Sequence, residues 1–218
     1  YATLRGFKYF VSFIDDYSRY AVVYPLRYKS EVIDKLRLYI AEVNTLLPRA
    51  AGIRNIGCLH TDNGGEYISG AMGTLFREHF IRHTTSPPLV HELNGVAERF
   101  NQTVDNVVRA LLSDAGMPRM YWAEALSAAV YVNNRLFTSA VKNKTPVEAL
   151  TGKKPDISHL RVFGSRCFAP IHIRKKLDDT RVECRMLGYD NNSQSYRLER
   201  CDTKHIQYYS HSDVIFAE

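Results

Sequence analysis

A chain of 218 residues that is 45% apolar and 24% charged has the composition of an ordinary globular protein and can bury one large core, or a core and a small companion. No apolar run reaches the ~20 residues that cross a bilayer, and the opening YATLRGFKYF lacks a basic-then-apolar signal, so a soluble chain with no membrane partner and no secretion is expected. The net charge of +6 and a pI near 9.1 permit a polyanionic partner without requiring one.

Tyr9–Ile14, YFVSFI, is aromatic and β-branched and predicts a strand, which Asp15-Asp16-Tyr17-Ser18 breaks; both carboxylates read as turn caps. Tyr20–Leu26 predicts a second strand, which Pro25 ends or puts near a sheet edge. Apolar residues at 33, 36, 40, 43 and 47 predict a helix, with Ser30 as N-cap and Pro48 as its stop. The apolar run from Ile53 to Leu59 predicts a strand ending on Asp62, where Asn-Gly-Gly turns the chain. A short helix is expected over Ala71–His79, a short strand over Ile81–Thr84 and a loop over Thr85–Asn94, since Pro87-Pro88 cannot be helical. From Gly95 onward Val96, Phe100, Val104, Val107, Val108, Leu111 and Leu112 form one apolar helical stripe, ended by Gly116 and Pro118. Tyr121–Leu136 reads as another helix, packed through Trp122, Leu126 and Ala129, and Thr145-Pro146 opens a short one that closes at Gly152.

After Pro155 the texture changes to short β-rich runs: Leu160–Phe163, Cys167–Ile173, Val182–Tyr189, Tyr196–Leu198, Ile206–Tyr209 and Val214–Phe216. Turns such as Asp190-Asn191-Asn192-Ser193 separate them, which suggests a small β-barrel and a domain boundary near Gly152–Pro155. Residues 151–218 hold 12 Lys+Arg against 9 Asp+Glu, so the positive excess is denser in the shorter part. Cys58, Cys167, Cys184 and Cys201 form no C-x-x-C pair and read as buried free thiols. His79 and His83 could face one another at i, i+4 on a helix, with no third ligand for zinc nearby.

Asp62, in HTDNGGEY, is expected at a strand's end, held by a rigid sheet and facing solvent; Glu98, in NGVAERFNQT, falls in a helix's first turn, off its apolar stripe. Either alone is ordinary turn or helix-dipole chemistry. Together, with 98 − 62 = 36 and so 35 residues between them, they can face one another across a helix packed beside the strand and share a divalent cation. So spaced, the two segments resemble the second and third acidic motifs of DDE-type integrases, in particular those of copia-type LTR retrotransposons. FIDDYSR at Phe13–Arg19 matches a further landmark of that family. HLRVFGSRCF, MLGYD, SYRLERCDTK and SDVIF resemble the SH3-like domain that follows the integrase core, so the resemblance covers essentially the whole chain.

The resemblance implies an α/β, RNase H-like integrase core, a mixed sheet with flanking helices, over residues 1–152, and an SH3-like β-barrel over 153–218. It implies a DDE-type polynucleotidyl transferase, part of a polyprotein, that processes DNA 3′ ends and transfers them to a target. Two Mg²⁺ or Mn²⁺ ions at Asp62 and Glu98 would serve that chemistry. Double-stranded DNA, from element ends and target, and further copies of the chain are the implied partners. The implied place of action is the nucleus, with cytoplasmic virus-like particles as precursor. Asn94, Gly95, Arg99, Gln102, Asp105 and Arg109 lie at the start or on the polar side of the Glu98 helix, which in the family meets DNA; a solvated face is the other reading. Arg174-Lys175-Lys176 is either a solvated turn or a grip on phosphates. Glu66 matches a motif position but no family ligand. Two departures stand out: the family's first catalytic Asp, on the strand before FIDDYSR, is not within these residues, and Leu93 replaces the Gln that precedes Asn-Gly. They leave open an inactive or co-opted remnant that binds nucleic acid.

Overall fold

The computed structural model describes residues 2–3, 5–46, 56–62, 64–67, 69–85, 95–171, 179–191 and 193–217. Strand β1 (Tyr9–Ile14) pairs antiparallel with β2 (Ala21–Leu26), from Tyr9↔Leu26 to Ile14↔Ala21. Pro25 is tolerated because β2 is an edge strand of this pair. Alternation along β1 sends Val11 and Phe13 to one face, where α1 (Val32–Leu46) covers them with Leu36, Tyr39, Ile40 and Val43. Phe13 stacks on Tyr39 with ring centroids 4.9 Å apart. Ser30 is not the cap of this helix: it lies inside a 3₁₀ turn, Lys29–Glu31, and Glu31 takes the backbone N–H of Arg27 instead (2.9 Å). Strand β3 (Cys58–Thr61) runs parallel to β4 (Arg82–Thr85), with α2 (Gly70–Glu78) as the crossover. Ser69 caps α2 by accepting from the Met72 N–H, and Met72, Leu75 and Phe76 join the β1–β2–α1 core.

A second core forms where α3 (Gly95–Asp114) crosses α4 (Trp122–Asn133). The buried line on α3 is Val104, Val108 and Leu112; Val107, expected in the stripe, is 39% exposed because the contact follows an i, i+4 ridge. Helix α4 differs more from expectation. Ala123, Ala125, Leu126 and all of Ala128–Tyr131 are buried, so it has little solvent face to show. Its end is fixed by Asn134, whose side chain accepts from the Ala21 N–H (3.0 Å) and donates to the Ala21 carbonyl (2.7 Å). Helix α5 (Pro146–Thr151) follows the sequence reading, with Thr145 accepting from the Glu148 N–H and Gly152 closing it in a left-handed conformation.

The other side of α4 carries an antiparallel sheet in the order β8-β7-β6-β5-β9, formed by β5 (Arg166–Pro170), β6 (Arg181–Tyr189), β7 (Ser195–Arg200), β8 (Ile206–Ser210) and β9 (Ile215–Phe216). It curls: the Tyr196 ring on β7 meets Phe216 on β9 at 5.0 Å although two strands lie between them. The concave face holds Cys167, Cys184, Met186, Leu198 and Tyr209. Burial pushes the Cys167 thiol up to about 12 and Cys184 to about 11, as inert core sulfurs. Cys58, by contrast, is exposed and Cys201 is half-buried, so the reading of four buried thiols holds only for Cys167 and Cys184. The convex face docks on α4. A register shift between Met186 and Gly188 turns Leu187 into the α3–α4 core, Arg197 forks onto Glu124 at 2.6 and 2.9 Å, and the Tyr121 hydroxyl donates to Glu199 at 2.6 Å. Leu160–Phe163, expected as a strand, is instead an anchored crossing between the layers. Phe163 enters the α3–α4 core, and Tyr189 Oη bonds both the N–H and the carbonyl of Arg161.

Two predictions follow from this junction. Gly164 has φ +81°, and a Cβ there would lie 2.4 Å from that of Ala115, so Gly164→Ala is expected to cost about 2–4 kcal/mol in urea unfolding. His159 stacks on His211 with centroids 5.0 Å apart, and its Nε2 is 2.8 Å from the Tyr131 hydroxyl. Burial first, then the charges of His211 and Arg135, push His159 below its usual range; burial, then Arg161, does the same to His211. The unfolded chain takes up these protons near pH 6.5 and the folded one resists, so stability is full above about pH 6.5 and falls as the pH drops below it. His83, also depressed by burial and then by His60, acts in the same direction. Urea midpoints measured across that range should show the slope, and His211→Phe should flatten it.

Candidate active site

Asp62 comes directly after β3, on the rim of the parallel pair. The strand end is stiffened across the pair. Thr61 Oγ1 lies 2.9 Å from His83 Nε2 and donates to the Asp62 carbonyl (2.8 Å), while His60 Nδ1 is 2.9 Å from Thr84 Oγ1. His83 also stacks on Phe76 at 4.6 Å. His79, at the end of α2, and His83, on β4, therefore belong to different elements and do not share a helix as the spacing suggested. The Asp62 carboxylate itself is exposed, and its Oδ1 accepts the Gly64 N–H at 3.2 Å. That Asx turn leaves the second oxygen unengaged among the described residues.

Glu98 lies in the first turn of α3, exposed and without a hydrogen bond or ion pair among the described residues. Helical periodicity puts Gln102, Asp105 and Arg109 on the same face as Glu98, with Arg99 at its flank; all are exposed, and Arg109 donates to Asn106 at 3.0 Å. Gly95 opens the helix, buried beneath the Arg99 side chain: a Cβ at this position would stand 3.1 Å from Arg99 Nη1. Glycine therefore lets the guanidinium fold back over the helix start. Asn94, Leu93 and Arg174-Lys175-Lys176 lie outside the described residues, as does the Glu66 side chain. Among the described residues no group of three or more His, Cys, Asp or Glu is placed to hold a metal ion.

Sequence reading missed what orients α3. Ser12 on β1 donates to Asn101 Oδ1 at 2.9 Å, a cross-link one turn beyond Glu98. A polar residue beside Phe100 was the available signal, but its partner is 89 positions away. The FIDDYSR segment proves to be a capped turn. Asp15 Oδ2 accepts from the Ser18 N–H (2.8 Å) and hydroxyl (2.6 Å), Ser18 is fully buried, and Arg19 follows at φ +61° with its guanidinium 2.7 Å from Asp16.

Residues 165–218 match the family described as the retroviral polymerase SH3-like domain. The chain is 38% identical over 218 residues to the retrovirus-related Pol polyprotein from transposon TNT 1-94 of Nicotiana tabacum, a match that covers 99% of this chain. It is 33% identical over 214 residues, 94% of this chain, to the Pol polyprotein from transposon RE2 of Arabidopsis thaliana. It spans only 16% and 14% of the length of these two curated relatives. Among solved structures, a chain in the cryo-EM structure of the simian T-cell lymphotropic virus intasome in complex with PP2A regulatory subunit B56 gamma shares the fold. The TM-score is 0.55 at 20% identity, covering 96% of this chain and 72% of that one.

The Asp15 carboxylate caps its turn through Oδ2. Asp15→Ala removes two hydrogen bonds to a carboxylate and should cost about 1–3 kcal/mol of stability by urea unfolding. Backbone NMR signals around Asp62 should stay in place in that variant.

Proposed function

We propose that this chain, which belongs to the integrases of copia-type LTR retrotransposons, carries the core and SH3-like domain of an enzyme that processes DNA ends and transfers them to target DNA. The observation that carries this is the pair of exposed carboxylates, Asp62 on the rim of a parallel strand pair and Glu98 in the first turn of α3, neither held in an ion pair among the described residues. Carboxylate oxygens are hard donors that suit Mg²⁺ or Mn²⁺. When bound, two such ions steady the entering and leaving oxygens of an in-line phosphoryl transfer. Asp62 and Glu98 would hold them from two separate elements. Gly95, Arg99, Gln102 and Arg109 would carry the DNA backbone along one helix face, with Asn94 and Arg174-Lys175-Lys176 as further contacts.

In this reading residues 1–152 form the core and 153–218 the SH3-like domain. The chain works as a multimer on double-stranded DNA in the nucleus, after assembly in cytoplasmic particles. A third carboxylate would come from a strand preceding β1. Two features support that. The Thr3 N–H donates to the Phe7 carbonyl (3.0 Å), the Gly6 N–H donates to the Thr3 carbonyl (2.9 Å), and Gly6 is left-handed. Among the described residues, β1 pairs only with β2 and β3 only with β4, which leaves one edge of each for such a strand.

Titration with Mn²⁺ is expected to perturb NMR signals around Asp62–Gly65 and Gly95–Arg99 together, and Asp62→Asn should abolish both responses. Residues 1–218 alone should bind DNA in a salt-steep manner yet show negligible end processing. Adding roughly ten residues of native upstream sequence should restore metal-dependent cleavage, because an antiparallel partner of Asp15 falls about five positions before Tyr1 and so within that stretch. Robust cleavage by residues 1–218, lost in Asp15→Asn, would make Asp15 the third ligand instead.

A further inference from the structure

The capped FIDDYSR turn has no part in the chemistry above, yet it builds one wall of a groove of about 400 Å³. The turn contributes Arg19, the first turns of α3 contribute Arg99 and Phe100, and the segment after α4 contributes Leu136, Phe137 and Thr138. Three properties of this groove point to one ligand. It contains large apolar groups left in water: Phe137 is 72% exposed and Leu136 55%. It is positively charged, with two guanidinium groups and no carboxylate among its described lining residues. Asp16 does pair with Arg19 from outside the lining, but that i, i+3 pair is open to solvent and exchangeable (Asp16 side chain 88% exposed). Its position is the third property, since Arg99 is the next residue after Glu98 on α3.

An exposed aromatic ring beside two arginines fits a ligand that is planar and apolar at one end and anionic at the other. We propose that this groove takes an unpaired nucleotide of a DNA end, with its base stacked on Phe137 and its phosphate held by Arg19 and Arg99. A base inside a duplex has both faces covered by its neighbours, and a base at a blunt end is still held by its paired partner, so an unpaired base at a frayed or single-stranded position is the one free to enter the groove and stack on the ring. Arg19 is held for this. Its left-handed backbone is disfavoured for a side chain with a Cβ, and the Asp15–Ser18 hydrogen bonds impose it. Strain kept in a capped turn of this sort aims a side chain at a chosen point. The inference rests on the chain's being a DNA-end enzyme and adds a site that distinguishes an open end from a blunt one.

The test compares fluorescence-anisotropy affinities for two duplexes of equal length, one blunt and one with a short single-stranded end. The wild-type chain should prefer the open end by ~5- to ~150-fold, the range of one base–aromatic stack. Phe137→Ala should remove that preference while leaving the blunt affinity unchanged; the ring is largely in solvent, so the fold should survive its loss. Phe137→Trp should keep the preference. Arg19→Gln and Arg99→Gln should each lower the salt slope for the open end by about 1. Equal affinity for both ends in the wild type, or a preference that survives Phe137→Ala, overturns the site and leaves the integrase reading standing. Failure to bind either duplex overturns both. If Phe137→Ala instead changes the sedimenting species while the preference persists, the groove is a contact between copies and the nucleotide site is wrong.

Discussion

The arrangement of this molecule depends on how completely α4 is enclosed. A helix between two sheets must be narrow, and WAEALSAAVYVN supplies alanine at the points of closest approach. Enclosure also means that every polar group at its rim needs a partner, because an unpaired buried polar group costs more than a hydrogen bond returns. Tyr121 finds Glu199, Glu124 finds Arg197, Tyr131 finds His159, and Asn134 closes on both backbone groups of Ala21. These contacts tie β2, α4 and the curled sheet into one packed unit, with α3 laid across it.

The exposed face of α3 inherits its direction from that packing. Val104, Val108 and Leu112 fix the rotation of the helix and Ser12–Asn101 fixes its first turns against β1, so Glu98, Gln102 and Arg109 are left to project outward. Asp62 is positioned by unrelated means, a parallel strand pair pinned by threonine–histidine contacts. The two carboxylates are thus each carried by a regular element, one at the end of a strand and one in the first turn of a helix. The turn that carries Arg19 is held in the same manner, through Asp15 and buried Ser18.

Much of this is legible in the residues because local chemistry and global fold agree. YFVSFI is aromatic and β-branched and is a strand; Thr145-Pro146 through Gly152 carries both of its caps and is a helix; the turn-bounded runs after Arg166 are strands. Disagreements arise where a distant surface decides. Leu160–Phe163 is apolar enough for a strand but is divided between Tyr189 and the α3–α4 core. Ser30 is chemically a good cap, yet Glu31 already serves the nearby backbone. At the candidate site, motif spacing identifies Asp62 and Glu98 as exposed ends of a strand and a helix. Asn101 gains its meaning from Ser12, 89 positions away, and Arg19 and Phe137 from a groove that separate elements assemble, where no local period can point.

The Arg197–Glu124 ion pair has one member on the sheet and one on α4, each about 15% exposed. Its halves are therefore useful only when inherited together. A recombination event that replaced the C-terminal sheet and kept the core would strand Glu124 in a dry interface, where an orphaned charge destabilises by ~3–5 kcal/mol. The two segments can change their outer surfaces freely in separate lineages, but at this seam they must co-evolve, and exchange between distant elements should succeed only where crossovers preserve both sides of the pair.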